Sequence, residues 1–526
     1  MWEHAVLPFL IDLIPKWSTP RHVISTTRGR TPDTRSINII TQVEMSRPRK
    51  IIVASHVIDL LPEPFRHRVS FAFSVGNVVR SAWARGLGKD LPDDICSPKN
   101  PYLFRNPCMG DSIGIKGTGS VEDSTATLGP CISVDGGSYW LGNFHPFLEA
   151  YQTWQSVKLE HPSPQDRSRC IDEAHDTLAP HSDYSIGDLM VTSGLNLSTT
   201  RVSHDPYWED MAKDPPLVVT DWALIASSTS HANILRRFPS DTQPPVKEPL
   251  VRSTSAIVPG ATVISSGRTS GHQRGQICEI PAYVSGEENG TQKATREWFI
   301  EEPYPCDNEE GWIRGGIGVE GDSGAAVVDA DTNALVGQIW GRNRYWGPGP
   351  RHTFFTPMAD IFDDIQEKCG QQTRPQLPQH RDEADRYPVY PSCRQCYDLQ
   401  TYLDSRRSSR MSLQSMIMGR GDSDQDITST EAASELATPR GMIIEEMGAS
   451  FNNILSPAQF PSVGAATPST PCIADLRSPY AQTLELDDVH GTEPTPGETK
   501  KRPPLPSTSV PGADRSSKRV RINFEG

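Results

Sequence analysis

Gly321-Asp322-Ser323-Gly324, running into Ala325-Ala326-Val327-Val328, has the local chemistry of an activated serine. The glycines let the chain turn tightly, so that the backbone N–H groups of Ser323 and Gly321 can converge on one point, where a tetrahedral oxyanion would form. A hydroxyl becomes a nucleophile only beside a base. Asp221 lies inside Leu217-Val218-Val219-Thr220-Asp221-Trp222-Ala223-Leu224-Ile225, an apolar stretch of β type. A carboxylate embedded there is costly unless it is paired or hydrogen-bonded. An imidazole is the natural partner, because the carboxylate holds its Nδ1–H and stabilises its positive charge during proton transfer. His145 is the imidazole best placed for this. It ends Ser138-Tyr139-Trp140-Leu141-Gly142-Asn143-Phe144-His145, after Thr127 to Val134 and the turn Asp135-Gly136-Gly137, at the exit of a β-hairpin. Taken singly, the three are a turn serine, a strand-end carboxylate and an ordinary histidine. Together they describe acyl transfer.

In the order His145, Asp221, Ser323 the chain resembles the trypsin-like (chymotrypsin-fold) serine proteases. Gly267-Arg268-Thr269-Ser270-Gly271, with Gly275 following, is similar to the Gly-Arg-Thr-Thr-Gly loop of many microbial members. Val336-Gly337-Gln338-Ile339-Trp340-Gly341 is similar to the strand that walls the primary specificity pocket. The likeness covers roughly residues 105 to 366. It implies a mainly β fold, a double β-barrel, and a peptide-hydrolysing triad of His145, Asp221 and Ser323 with the amides of Gly321 and Ser323 as oxyanion hole. It also implies a pocket with Ile317 near its floor and Ile339, Trp340 and Gly341 along its wall, hence cleavage after an apolar residue. Two departures stand out. Ala325-Ala326 replaces the usual Gly-Pro, and Pro146, which biases the preceding residue toward extended backbone, follows His145. His56, at the end of Ile51-Ile52-Val53-Ala54-Ser55, is a second candidate base, but its surroundings read better as a helix running to Leu60-Leu61.

Three regions must position these residues. Residues 1–95 read as a small N-terminal α/β extension: a strand from Ser36 to Val43, a helix from Ile51 to Leu61 and a strand from His67 to Val75 that ends at Gly76. Residues 96–370 carry the protease motifs, with a polar insertion around 152–183. Residues 371–526 are dominated by Pro, Ser, Thr, Asp and Glu without a persistent period, which predicts a disordered tail. With 36% hydrophobic residues, 46 Pro and 40 Gly, the whole chain is too interrupted to be one globule.

Charge and targeting signals bound the function. A net charge of -14 argues against a general nucleic-acid-binding surface. The first residues carry Glu3, and Pro8 and Asp12 break the apolar run, so no signal peptide is expected and the 10 cysteines read as reduced thiols. No run reaches the about 18 apolar residues of a membrane span. Cys393 and Cys396, with Cys369 and His380 as the nearest further ligands, fall short of a zinc site, and neither a metal nor another cofactor is expected. Lys500-Lys501-Arg502 and Lys518-Arg519-Val520-Arg521 are similar to a bipartite nuclear import signal, so an intracellular, cytoplasmic or nuclear location and an import receptor are expected. Arg420-Gly421-Asp422 is taken as coincidence. The expected substrate is a polypeptide, including the chain itself, with 371–395 as the exposed segment for self-processing and the tail offered to protein partners. The alternative is an inactive protease-like module that binds peptides.

Overall fold

The computed structural model describes residues 1–29, 31, 33–81, 83–84, 98–116, 124–154, 156–172, 183–194, 199–209, 215–237, 249–286, 293–302, 316–345, 351–380, 392 and 481–484. At the N-terminus, helix α1 (Leu7–Trp17) buries Leu7, Leu10 and Ile14, a spacing that puts all three on one helical face. Strand β1 (His22–Arg28) pairs antiparallel with β2 (Arg35–Thr41). Helix α2 (Arg47–Leu60) then crosses over to β3 (Val69–Arg80), which lies parallel to β2. Ile24, Ile37, Ile39, Phe71 and Phe73 from the sheet pack on Val53, Ala54 and Val57 of α2 and on the face of α1. The strand–helix–strand unit is as expected; α1 and β1 are additions to it.

The longer reach of β3 matters most. It was expected to stop at Gly76, yet it runs on to Arg80, because beyond Val75 it leaves β2 and finds a new partner, described below. A short strand, β4 (Trp83–Ala84), follows.

The first barrel consists of β5 (Ser112–Ile115), β6 (Ser124–Thr127), β7 (Cys131–Val134), β8 (Gly137–Gly142), β9 (Lys158–Glu160), β10 (Ser185–Thr192) and, after the paired β11 (Thr199–Val202) and β12 (Leu217–Thr220), β13 (Ala223–Ser227). β6 and β7 form one bent path. Leu128 N–H donates to Asp111 O and Gly129 N–H to Leu141 O, so the path touches β5 on one side and β8 on the other and closes the barrel. Alternation sorts the side chains. Trp140, Ala223 and Ile225 point into this barrel with Ile113 and Leu159, whereas Leu141, Trp222 and Leu224 point at the second.

The second barrel is β14 (Thr262–Gly267), β15 (Gly271–Ile277), β17 (Thr295–Glu302), β18 (Ala326–Asp329), β19 (Leu335–Tyr345) and β20 (Arg351–Pro357), closed by β14–β15 and β15–β17 pairing; β16 (Ala282–Val284) links it to β1. The fold is therefore mainly β, a double barrel with an N-terminal α/β extension whose sheet is continuous with the second barrel. Leu141, Trp222 and Leu224 meet Ile264, Ala326 and Val328 between the barrels, closed over by the helix Met358–Lys368.

Past residue 370, Gln376 bridges to Ser133 and Leu377 is buried in the core between the barrels. Strand β21 (Ala481–Leu484) pairs with β3. The remainder of the expected disordered tail, the Cys393–Cys396 pair, Arg420-Gly421-Asp422 and both basic clusters lie outside the described residues. No described helix is long and apolar enough to cross a membrane.

Candidate active site

His145, Asp221 and Ser323 meet at the seam between the barrels. The hairpin strand β8 delivers His145 into a one-turn 3-10 helix, His145–Phe147, whose second position tolerates the fixed φ and missing N–H of Pro146. Asp221 sits at the corner between β12 and β13. Its Oδ1 accepts the backbone N–H groups of Phe144 (2.8 Å) and His145 (3.0 Å), and its Oδ2 lies 2.5 Å from His145 Nδ1. With Nδ1–H donating to the carboxylate, Nε2 is left as an acceptor, and Ser323 Oγ stands 2.8 Å from it. The backbone bonds to Oδ1 fix the carboxylate, the carboxylate fixes the imidazole, and the imidazole faces the serine. His56 is elsewhere, on α2 with its ring against Phe9.

Burial sets the protonation states. It lowers the His145 imidazole below its ordinary 6.5, Asp221 pulls it back up, and the nearby Arg80 adds to the lowering, so the ring is a neutral base at pH 7. Burial alone would raise the Asp221 carboxyl, but His145 and Arg80 hold it below the usual carboxylate range.

Asp322 organises the turn that presents Ser323. Its Oδ1 accepts the N–H groups of Thr269 and Ser270, each at 3.0 Å, and its Oδ2 accepts that of Gly318 at 3.1 Å. The Gly267–Gly271 turn is thus a brace for the serine loop. Thr127 ties the barrels together at the same place: its Oγ1 donates to Gly321 O and accepts from Arg268 N–H, and its own N–H donates to Ser323 O. Arg268 continues the brace into a buried ion pair with Asp166. Gly321 has φ +99°, and a Cβ there would stand 2.3 Å from Thr269 Oγ1, so only glycine can turn the chain here.

The cleft is filled by the chain itself. The N–H groups of Gly321 and Ser323 both donate to the carbonyl oxygen of Ser81, the latter at 3.3 Å, and Ser81 N–H donates to Trp340 O at 3.3 Å. Upstream, the end of β3 pairs antiparallel with β19, Arg80 opposite Gly341 and Val79 opposite Arg342. Downstream, β4 pairs with β6, Trp83 opposite Thr125. Ser81 Oγ donates to Gly318 O at 2.9 Å. The Arg80 guanidinium lies 4.3 Å from the centre of the Trp340 ring, with Nη1 3.6 Å from Asp221 Oδ2.

The residues expected to line the pocket divide accordingly. Trp340 and Gly341 face this strand, and a Cβ on Gly341 would stand 2.7 Å from Val79 O. The side chains of Ile317 and Ile339 instead pack inside the second barrel beside Ile300 and Phe355, and the Gly318 carbonyl is what meets the Ser81 side chain. Sequence reasoning missed Arg80, Ser81 and Thr127; the apolar pair Val78-Val79 beyond Gly76 was the available sign that β3 continues.

Glu297, on β17, is also fully buried near Arg80; its Oε1 accepts Val219 N–H at 2.9 Å, and burial pushes its carboxyl up to about 7. Because the folded protein holds this proton more tightly than the unfolded chain, stability falls as pH rises from about 4.5 toward 7. A rise from 4.5 to about 7 is worth on the order of 3 kcal/mol. Glu297→Gln keeps the acceptor and loses the charge. Denaturant titrations at pH 5 and pH 8 should show the variant close to wild type at the lower pH and more stable at the higher; equal offsets at both would refute the assignment.

Among the described residues no cluster of His, Cys, Asp or Glu could hold a metal ion, and none of the described cysteines forms a disulfide.

No protein-family model and no curated protein sequence matches the chain. Solved structures do. A glutamic acid specific serine protease with a histidine triad in substrate binding aligns at 12% identity and TM-score 0.26, covering 52% of this chain and 100% of its own. A chymotrypsin from Cellulomonas bogoriensis aligns at 15% identity and TM-score 0.26, covering 52% of this chain and 98% of its own. Protease A from Thermobifida fusca does so at 13% identity with the same score and coverages.

Proposed function

We propose that the chain is a serine endopeptidase. The observation that carries this reading is the continuous relay from Asp221 through His145 to Ser323, beside two backbone N–H groups that converge on a single carbonyl oxygen. Ser323 Oγ attacks a peptide carbonyl while His145 Nε2 takes its proton. Asp221 stabilises the imidazolium, and the amides of Gly321 and Ser323 hold the oxyanion. His145 then returns the proton to the departing amine, and water repeats the sequence on the acyl-enzyme ester. A peptide-binding module without catalysis has no physical need for a neutral imidazole held between a serine and a buried carboxylate. On the same reading, the side chain at the cleaved position meets the Gly318 carbonyl, which favours a small hydroxylated residue over a large apolar one.

Ser323 is fully covered, so a test needs the cleft opened. Val79→Pro removes an N–H from the strand pairing opposite Arg342 and should free the cleft without touching the relay. In that background a fluorophosphonate probe should label the protein. Adding Ser323→Ala or His145→Ala should abolish the label. A folded Val79→Pro protein that takes up no probe would sink the endopeptidase reading and leave the peptide-binding one.

A further inference from the structure

We propose, resting on the endopeptidase reading, that the segment ending at Ser81 is this enzyme's own first substrate, bound for cleavage after Ser81, with residues 1–81 kept afterwards as a bound inhibitor. Three independent contacts set the register. The Ser81 carbonyl oxygen occupies the point on which the Gly321 and Ser323 amides converge, so it is the one carbonyl poised for attack. On the acyl side the chain is held as an added antiparallel strand, with Ser81 N–H on Trp340 O, Arg80 opposite Gly341 and Val79 opposite Arg342. On the leaving side, Trp83 and Ala84 pair with β6 on the first barrel, so the chain is gripped on both sides of the bond. Gripping on both sides is what a substrate requires. A chain that only plugged the cleft could reach it in any direction or register.

Arg80 supplies side-chain selectivity. Its guanidinium lies over the Trp340 ring and against the Asp221 carboxylate, so the position before the cleaved residue selects an arginine. Ser81 Oγ on Gly318 O selects a small hydroxylated residue at the cleaved position.

The step balances within the chain and one water. Ser323 Oγ bonds to the Ser81 carbonyl carbon, and its proton goes to His145. The Ser81–Ala82 C–N bond breaks, and that proton leaves on the new amino group of Ala82. Water hydrolyses the ester, leaving a carboxylate on Ser81 and restoring Ser323. The first product stays, because its sheet continues into the second barrel through β1–β16 and β3–β19, and Val23 and Ile40 share a core with Phe299 and Trp340. Its new carboxylate remains against the oxyanion-binding amides.

Intact-mass analysis and N-terminal sequencing of the purified full chain test this. Wild type should yield two pieces, 1–81 and 82–526, that co-elute on gel filtration and part only in denaturant. Ser323→Ala should stay whole. In a refolding time course the half-time should not change on tenfold dilution, since substrate and enzyme share one chain, and Arg80→Ala should lengthen it at least tenfold, with Arg80→Lys recovering part. Cleavage at another bond, such as one within 371–395, overturns the proposal, as does cleavage of Ser323→Ala. An uncleaved wild type whose Val79→Pro variant takes the fluorophosphonate also overturns it while leaving the endopeptidase standing. An uncleaved wild type with an unlabelled Val79→Pro variant removes both. Pieces that separate on gel filtration remove the retained inhibitor.

Discussion

Asp221→Asn is expected to slow reaction of Ser323 by about 10⁴-fold while leaving the fold in place. The asparagine Oδ1 can still accept the N–H groups of Phe144 and His145, so the corner between β12 and β13 keeps its backbone contacts. Its amide nitrogen then faces His145 Nδ1, where the carboxylate Oδ2 stood 2.5 Å away. A donor there forces Nδ1 to accept, which puts the ring proton on Nε2, the atom that faces Ser323 Oγ. The serine loses its base because of the tautomer, not because of distance. The rate of fluorophosphonate labelling in the cleft-opened Val79→Pro background is the measurement, with thermal unfolding as the control. A loss below about tenfold would mean that Asp221 does not set the tautomer.

Arg236→Ala should do the reverse, sparing the chemistry and costing about 3–5 kcal/mol of stability. Arg236 and Asp111 are both fully buried and joined by two hydrogen bonds, Nε to Oδ1 at 2.8 Å and Nη2 to Oδ2 at 2.9 Å, with the guanidinium 3.6 Å from the centre of the Phe104 ring. Burial pushes the Asp111 carboxyl up, and the guanidinium beside it, with smaller help from His161 and the Cys108 N–H, brings the group below its ordinary value. Removing Arg236 strands the carboxylate. Asp111 also accepts from Cys108 N–H and the Asn100 side chain, so segment 98–111 should be the first to open. Chemical denaturation at pH 7 reads the loss, and it should shrink in acid, where the stranded carboxyl can take a proton. Asp111→Asn combined with Arg236→Met removes both charges and keeps an acceptor, and should recover more than half. A double variant as unstable as Arg236→Ala would show that packing on Phe104, not the stranded charge, sets the cost.

Local chemistry was legible in the sequence wherever one short segment carries it. The hairpin before His145, the apolar walls around Asp221 and the glycines around Ser323 each announce their own element, and the structure brings the three together. The Gly267–Gly271 loop was visible as a motif, but its purpose was not, because its partner Asp322 is 52 residues from Ser270 and nothing local pairs them. Glu297 was invisible for the same reason: a charged residue in a strand usually faces water, and only closure of the second barrel buries this one. The strand β3 misled through Gly76. A glycine closing the run from His67 to Val75 reads as a stop, and it would be one if β3 had only β2 as its partner. Gly76 opposes Tyr345 on a strand 269 residues downstream, and no local pattern encodes that. The likeness places Ile317 and Ile339 along the chain but does not fix the face their side chains take, and both turn into the second barrel.

Arg80 and Val79 also do something for the second barrel that involves no chemistry. From Gly341 to Tyr345, β19 would otherwise present a row of unpaired N–H and C=O groups on the rim of a sheet rich in large apolar side chains. Such a rim is a template for strand-on-strand association between molecules. On the proposed endopeptidase activity the same row must bind a polypeptide by its backbone, so it cannot be blunted with a proline or a bulge without losing that ability. By laying its own strand there as it folds, the chain keeps the rim covered while the barrel matures. A preparation stripped of residues 1–81 should therefore be as notable for self-association as for hydrolysis, and a backbone-only peptide ligand should suppress both.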